Sequence, residues 1–128
     1  MSNIILQPSG NKDAREHFIN TIELPVKLSE IEKFLSQNEK DVLSQIYPEN
    51  QCRIWGVTSG GNNITKWERI KKGDVTLFSK DGAIYASAVT TYKTHNKKLA
   101  EFLWDYNSNG ETWENIYFLD EVRKHNIP

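Results

Sequence analysis

The 128-residue chain is poor in the residues that build metal sites and covalent frameworks. It has one cysteine, Cys52, which excludes an internal disulfide and any multi-cysteine metal site. Its three histidines, His17, His95 and His125, are scattered without ligand spacing, so the sequence calls for no metal and no cofactor. No stretch approaches the roughly 18 apolar residues of a membrane span. The opening "MSNIILQPSG" lacks the basic start and apolar run of a secretory signal, and a cytoplasmic protein is the expectation. There is no internal repeat, low-complexity tract or linker, which leaves a single domain over residues 1–128. Apolar residues at 38% and charged residues at 26% are ordinary for a globular domain of this size.

Excess charge of one sign is also lacking, since the net charge is −1, but the charge is unevenly placed. Residues 53–98 hold nine Lys/Arg against three Asp/Glu, or +6, and the remainder is −7. A basic central segment in an acidic chain favours a polyanion on one face.

The periodicities predict a mixed fold. In residues 28–48, "LSEIEKFLSQNEKDVLSQIYP" reads as helical, with Ser29 and Glu32 as a capping box and an apolar stripe of Ile31, Phe34 and Leu35. A second stripe, Val42, Leu43, Ile46 and Tyr47, ends at Pro48. Residues 53–58 read as a strand, and Ile64, Trp67 and Ile70 at spacing three read as a short helix. "DVTLFSKDGAIYASAVTTY" is a hairpin turning at Asp81-Gly82. "NKKLAEFLW" is a helix with Leu99, Phe102 and Leu103 inward, and "TWENIYFLDEV" is a closing strand. The opening segment is expected to wrap around the domain. The order predicts an α+β sheet over residues 53–122, barrel-like in its curl and flanked by short helices.

Catalytic patterns are weak. Ser59, Ser79 and Ser87 have no adjacent His/Asp pattern, and "GVTSGG" lacks the Lys-Ser/Thr of a phosphate-binding loop. A binding role reads better. A nucleobase needs aromatic walls for its faces and amides or hydroxyls for its edge. "RIWGVTSGGNNITKW" supplies both: Trp55, then Thr58, Ser59, Asn62 and Asn63, with glycines that let a backbone approach a ligand. Trp104 and Tyr92 stand beside polar or basic loops as further candidate walls. Lys66, Arg69, Lys71, Lys72, Lys93, Lys97 and Lys98 are available to phosphates. Each has a plainer reading: Trp55, Trp104 and Tyr92 as core, Asn62 and Asn63 as a turn and cap. Trp67 and Trp113 read as packing residues.

In order and spacing, "RIWGVTSGGNN…WERIKKGDVTLFSKDGAIYASAVT…LAEFLW…TWENIYFLDEV" resembles the EVE/YTH-like branch of the PUA superfamily. It is most similar to the amino-terminal DNA-reading domains of McrB-type modification-dependent restriction proteins. That resemblance spans about residues 53–122. It implies a twisted, barrel-like sheet flanked by helices, holding a flipped modified base such as N6-methyladenine in an aromatic cage. Trp55 and Trp104 would be cage walls, with Tyr92 as the substitute for the latter. Thr58, Ser59, Asn62 and Asn63 would read the base edge. It implies methylated DNA as partner, and a non-enzymatic module of an oligomeric GTP-dependent AAA+ protein with a nuclease subunit. Nothing in these residues encodes that motor, so the chain reads as a domain of a longer protein. The alternatives are a modified-RNA or tRNA-binding module of the same fold and a protein-interaction domain.

Overall fold

A computed structural model of the chain describes residues 3–128. The elements run β1 (Ile4–Pro8), α1 (Lys12–Phe18, continued by a π-helical turn Ile19–Glu23), β2 (Val26–Lys27), α2 (Leu28–Ile31, then a 3-10 turn Glu32–Phe34) and α3 (Gln37–Ile46). They continue as β3 (Gln51–Val57), α4 (Asn63–Arg69), β4 (Val75–Lys80), β5 (Ala83–His95), α5 (Lys97–Trp104) and β6 (Asn115–Ile127). Six strands form one mixed sheet in the order β1-β4-β5-β6-β3-β2. β1 runs parallel to β4, and the other neighbours are antiparallel. The sheet is open, with β1 and β2 at its two ends, and does not close into a barrel. Curvature comes instead from β5 and β6, whose pairing shifts register three times. Each such bulge bends its strand and sharpens the local twist.

Around β3 and the first half of β6 both sheet faces are covered, which is why "IWGV" and "IYFL" read as continuous apolar runs. In "NIYFL" of β6, Ile116 and Phe118 enter a core built with α2, α3 and α5, while Tyr117 and Leu119 enter a second core. That second core is completed by Trp55, Phe78 and residues of α1 and α4. β3 divides in the same way, Ile54 to the first face and Trp55 to the second. The hairpin forms where its turn chemistry places it: Lys80 pairs with Ala83, and Asp81 and Gly82 both have positive φ, 52° and 76°.

The opening segment does wrap the domain, running from β1 at one edge of the sheet to β2 at the other with α1 packed against the second core between them; α1 is a capped helix, with the Asn11 side chain accepting the Ala14 N–H at 2.8 Å. Several local expectations are corrected. Ser29 and Glu32 are not a capping box, because the helix already begins at Leu28. The box lies at Ser36 and Glu39, reciprocally bonded at the start of α3. Phe102 is 49% exposed and rests on Phe34, while Leu99, Ala100 and Trp104 are the buried positions of α5. The sheet also reaches past 53–122, taking in β1 and β2 and running to Ile127. Among the described residues no helix is long and apolar enough to cross a membrane.

Candidate nucleic-acid interface

β3 ends at Val57, and the chain then leaves the sheet through Thr58 and a turn into α4. At this end the start of α1, the end of β1 and the loop after α5 converge around a hollow of about 280 Å³. That volume sits near the small end of ligand sites, roughly 300–1,000 Å³, and suits one ring system.

Gly56 sets the geometry. A Cβ there would lie 2.4 Å from the Trp113 carbonyl oxygen and 2.6 Å from the Trp104 ring. Glycine therefore lets both close on the strand, with Trp104 filling the space behind β3 and Trp113 entering the lining. His17, from α1, is stacked on Trp104 (centroids 5.3 Å, 29° between planes) and meets the Trp113 ring edge-on at 4.2 Å. It is buried and lines the hollow, and among the described residues its ring makes no hydrogen bond. Burial lowers its pKa from 6.5 to about 4, against the opposing pull of the Asp13 carboxylate, so the ring is neutral near pH 7. Asn11, Asp13, Asn63, Asn107 and Gln7 supply polar groups around the opening.

The sequence candidates separate into distinct places. Trp55 lines the hollow, but it is only 3% exposed and packs edge-to-face on Phe78, so it forms floor rather than wall. Its Nε1 is buried without a partner. Thr58 and Asn63 line the hollow together, the Asn63 amide donating to Thr58 Oγ1 at 3.2 Å. Ser59 does not. Its hydroxyl donates to Glu114 Oε1 at 2.7 Å and accepts from Asn115 Nδ2 at 3.0 Å, latching the loop to β6. Asn62 is exposed outside the lining and makes no side-chain cap bond to α4. Gly60 and Gly61 serve the turn, Gly61 with φ 59°, rather than a ligand.

The two expected extra walls are misplaced. Trp104 is 8% exposed, donates to Thr21 Oγ1 at 3.4 Å and belongs to the core on the far side of β3. Tyr92 packs edge-to-face on Phe118 in that same core. Trp113, read from sequence as core, does pack against that same core and also lines the hollow, where it forms the wall. It lies in the loop before β6 and remains half-buried.

The cations also divide. Lys66, Arg69, Lys71 and Lys72, on α4 and the turn after it, are exposed and in no ion pair among the described residues. Lys93 is committed elsewhere. Its ammonium donates to the Trp67 and Glu68 carbonyls at 2.8 and 3.1 Å and lies 4.5 Å above the Trp67 ring, closing the end of α4. Lys97 and Lys98 sit at the start of α5, whose buried side faces the core away from the hollow.

Residues missed from sequence are chiefly His17, Asp13 and Asn11. The signal was an asparagine cap followed by Ala14, His17 and Phe18 at helical spacing. The fold also gives one serine a histidine neighbour, Ser87 Oγ lying 2.7 Å from His125 Nε2. Among the described residues no carboxylate orients that ring, and no three His, Cys, Asp or Glu cluster as a metal site.

The chain is thus an open six-stranded α+β sheet with helices on both faces. A solved structure with that fold is the N-terminal domain of Thermococcus gammatolerans McrB bound to m5C DNA. The two superpose with a TM-score of 0.68 at 19% identity, over 97% of this chain and 76% of that one. The chain thus has the fold of the McrB N-terminal domain. No family model and no curated protein matches the sequence.

Proposed function

We propose that this chain is a non-enzymatic module that binds modified DNA by taking a flipped base into the hollow beside Trp113 and His17. The observation that carries the reading is a pair of features on one McrB-like fold. One is a one-ring hollow with a half-buried tryptophan wall, and the other is a run of cations on the adjoining helix and the turn after it, in no ion pair among the described residues. Trp113 stacks on the base, Trp55 forms the floor, and Thr58, Asn63 and the neutral His17 meet its polar edge. Lys66, Arg69, Lys71 and Lys72 hold phosphates. Stacking is worth about 1–3 kcal/mol per base and offsets an extrusion cost of a few kcal/mol.

A modifying methyl contributes only about 0.8 kcal/mol on burial, so one module discriminates weakly. Several modules on a McrB-like ring would multiply the preference through avidity, and the reading is of a recognition part of such a restriction system. The test is fluorescence anisotropy with matched DNA and RNA oligonucleotides, each with and without 5-methylcytosine or N6-methyladenine. The expected result is tighter binding of modified DNA, lost by about tenfold or more in Trp113→Ala. Equal binding of modified and unmodified DNA, or an unaffected Trp113→Ala, overturns the reading; a preference for RNA moves it to the other polymer.

A further inference from the structure

A second hollow of about 280 Å³ adjoins the first, between β1 and α4. The two share Gln7, Pro8, Val57 and Asn63 as a common partition. The second is the more apolar, with Ile5, Leu6, Trp67 and Ile70 around it and Lys66 at its rim. No acidic residue lines it, in contrast to Asp13 in the first. Its floor includes Tyr117, which is fully buried and whose hydroxyl makes no hydrogen bond. The Thr76 hydroxyl beside it eases the burial-driven rise in the Tyr117 pKa without meeting hydrogen-bond geometry.

We propose that this second hollow is a subsite for the base of the nucleotide next to the modified one. The inference rests on the base-binding reading of the first hollow. Three features point to a neighbouring nucleotide. The volume matches the first hollow, the shared partition makes the two contiguous, and the apolar lining under a cationic rim complements a base joined to a phosphate. Lys66 is exposed and in no ion pair among the described residues, so its charge is available to the phosphate between the two nucleotides. The two hollows meet along this one partition, between β1 and α4, so the reading is directional. It takes the base on one side of the modification and not on the other.

The experiment uses the full chain and an oligonucleotide with one 5-methylcytosine, with the 5′ or the 3′ neighbour replaced in turn by an abasic site. An abasic site on either side loosens the stack around the target alike, so the asymmetry between the sides is the readout. The expected result is about tenfold weaker binding for one side and less than twofold change for the other. Leu6→Glu, at a position 68% exposed in the hollow wall, should lower affinity for the intact oligonucleotide to the abasic level. The ratio of modified to unmodified binding should stay as it was. Lys66→Ala should weaken binding severalfold and flatten its salt dependence. Equal responses to the two abasic sites, or an unchanged Leu6→Glu variant, overturn the subsite and leave the first hollow standing. Loss of all preference for the modified base in the unaltered chain overturns both.

Discussion

Replacing His17 tests the buried end of the hollow without reference to any ligand. In the folded chain burial holds its pKa at about 4, against 6.5 for the free side chain. The shift is downward, so between pH 6.5 and pH 4 the unfolded chain binds the proton and the folded chain does not. The stabilising contribution is therefore complete above about pH 6.5, falls as the pH drops toward 4, and is level below. Linkage over a gap of this size gives a loss of about 2.5 kcal/mol between pH 7.5 and pH 4.5. His17→Phe keeps a ring between Trp104 and Trp113 and removes the proton site. Carboxylates other than Asp13 and the other histidines are not coupled to His17 and contribute equally to both proteins, so they cancel in the difference. Urea unfolding of both from pH 7.5 to pH 4.5 is the assay. The difference in stability should move by about 2–3 kcal/mol in favour of the variant as the pH falls. Parallel curves would mean that His17 charges freely in the fold, and the account of a neutral buried imidazole would be wrong.

Four other substitutions separate structural from binding roles. Gly56→Ala meets a backbone oxygen at 2.4 Å and an indole at 2.6 Å, and should cost about 2–4 kcal/mol, seen as a large fall in melting temperature; a melt unchanged within 2 °C or so would refute the close approach. Trp55→Ala removes a 3%-exposed core ring and should cost about 3–5 kcal/mol, a large share of a small domain's stability, so it melts far below Trp113→Ala. Equal melts for the two would undo the assignment of floor and wall. Lys93→Met frees the Trp67 and Glu68 carbonyls and should lower stability by about 1 kcal/mol while leaving the salt slope of DNA binding intact. Arg69→Ala should instead reduce that slope by about one.

What could be read in the sequence was what neighbouring residues decide. Asp81-Gly82 between two β-rich runs fixes the hairpin, because the turn demands positive φ and only a few residues supply it. The stripe Val42, Leu43, Ile46, Tyr47 marks α3 through its period, although the cap lies seven residues beyond the place assigned to it. β1 was illegible because its partner is β4, paired in parallel about seventy residues away, and five residues with two exposed leucine-type side chains carry no local mark of that pairing. The same division runs through the site. Trp55, Thr58 and Asn63 are near one another in sequence, and all line the hollow. Trp104 and Trp113 both flank a polar loop, and no local pattern says which one faces outward. Both are brought against β3 at Gly56, which admits the Trp104 ring and the Trp113 carbonyl alike, a contact between residues far apart in the chain.

The loop that carries Trp113 is tied mainly to itself. Asn107 Oδ1 accepts the N–H groups of Asn109 and Glu111 at 2.9 and 3.0 Å, and the Asn107 N–H donates to the Glu111 carbonyl at 2.8 Å. Thr112, buried, donates its hydroxyl to the Asp105 carbonyl at 2.7 Å, holding the reversal that Asp105 makes at φ 61°. Ser59, Glu114 and Asn115 then join this loop to the one after β3. The ordering entropy of both loops is thus lost when the domain folds and not when a ligand arrives, which is the condition for a preformed site. Ser59 and Asn115 lie outside the lining, but their bond holds Trp113 and the Thr58–Asn63 pair at a fixed separation across the hollow, which is the part they would play in the proposed function.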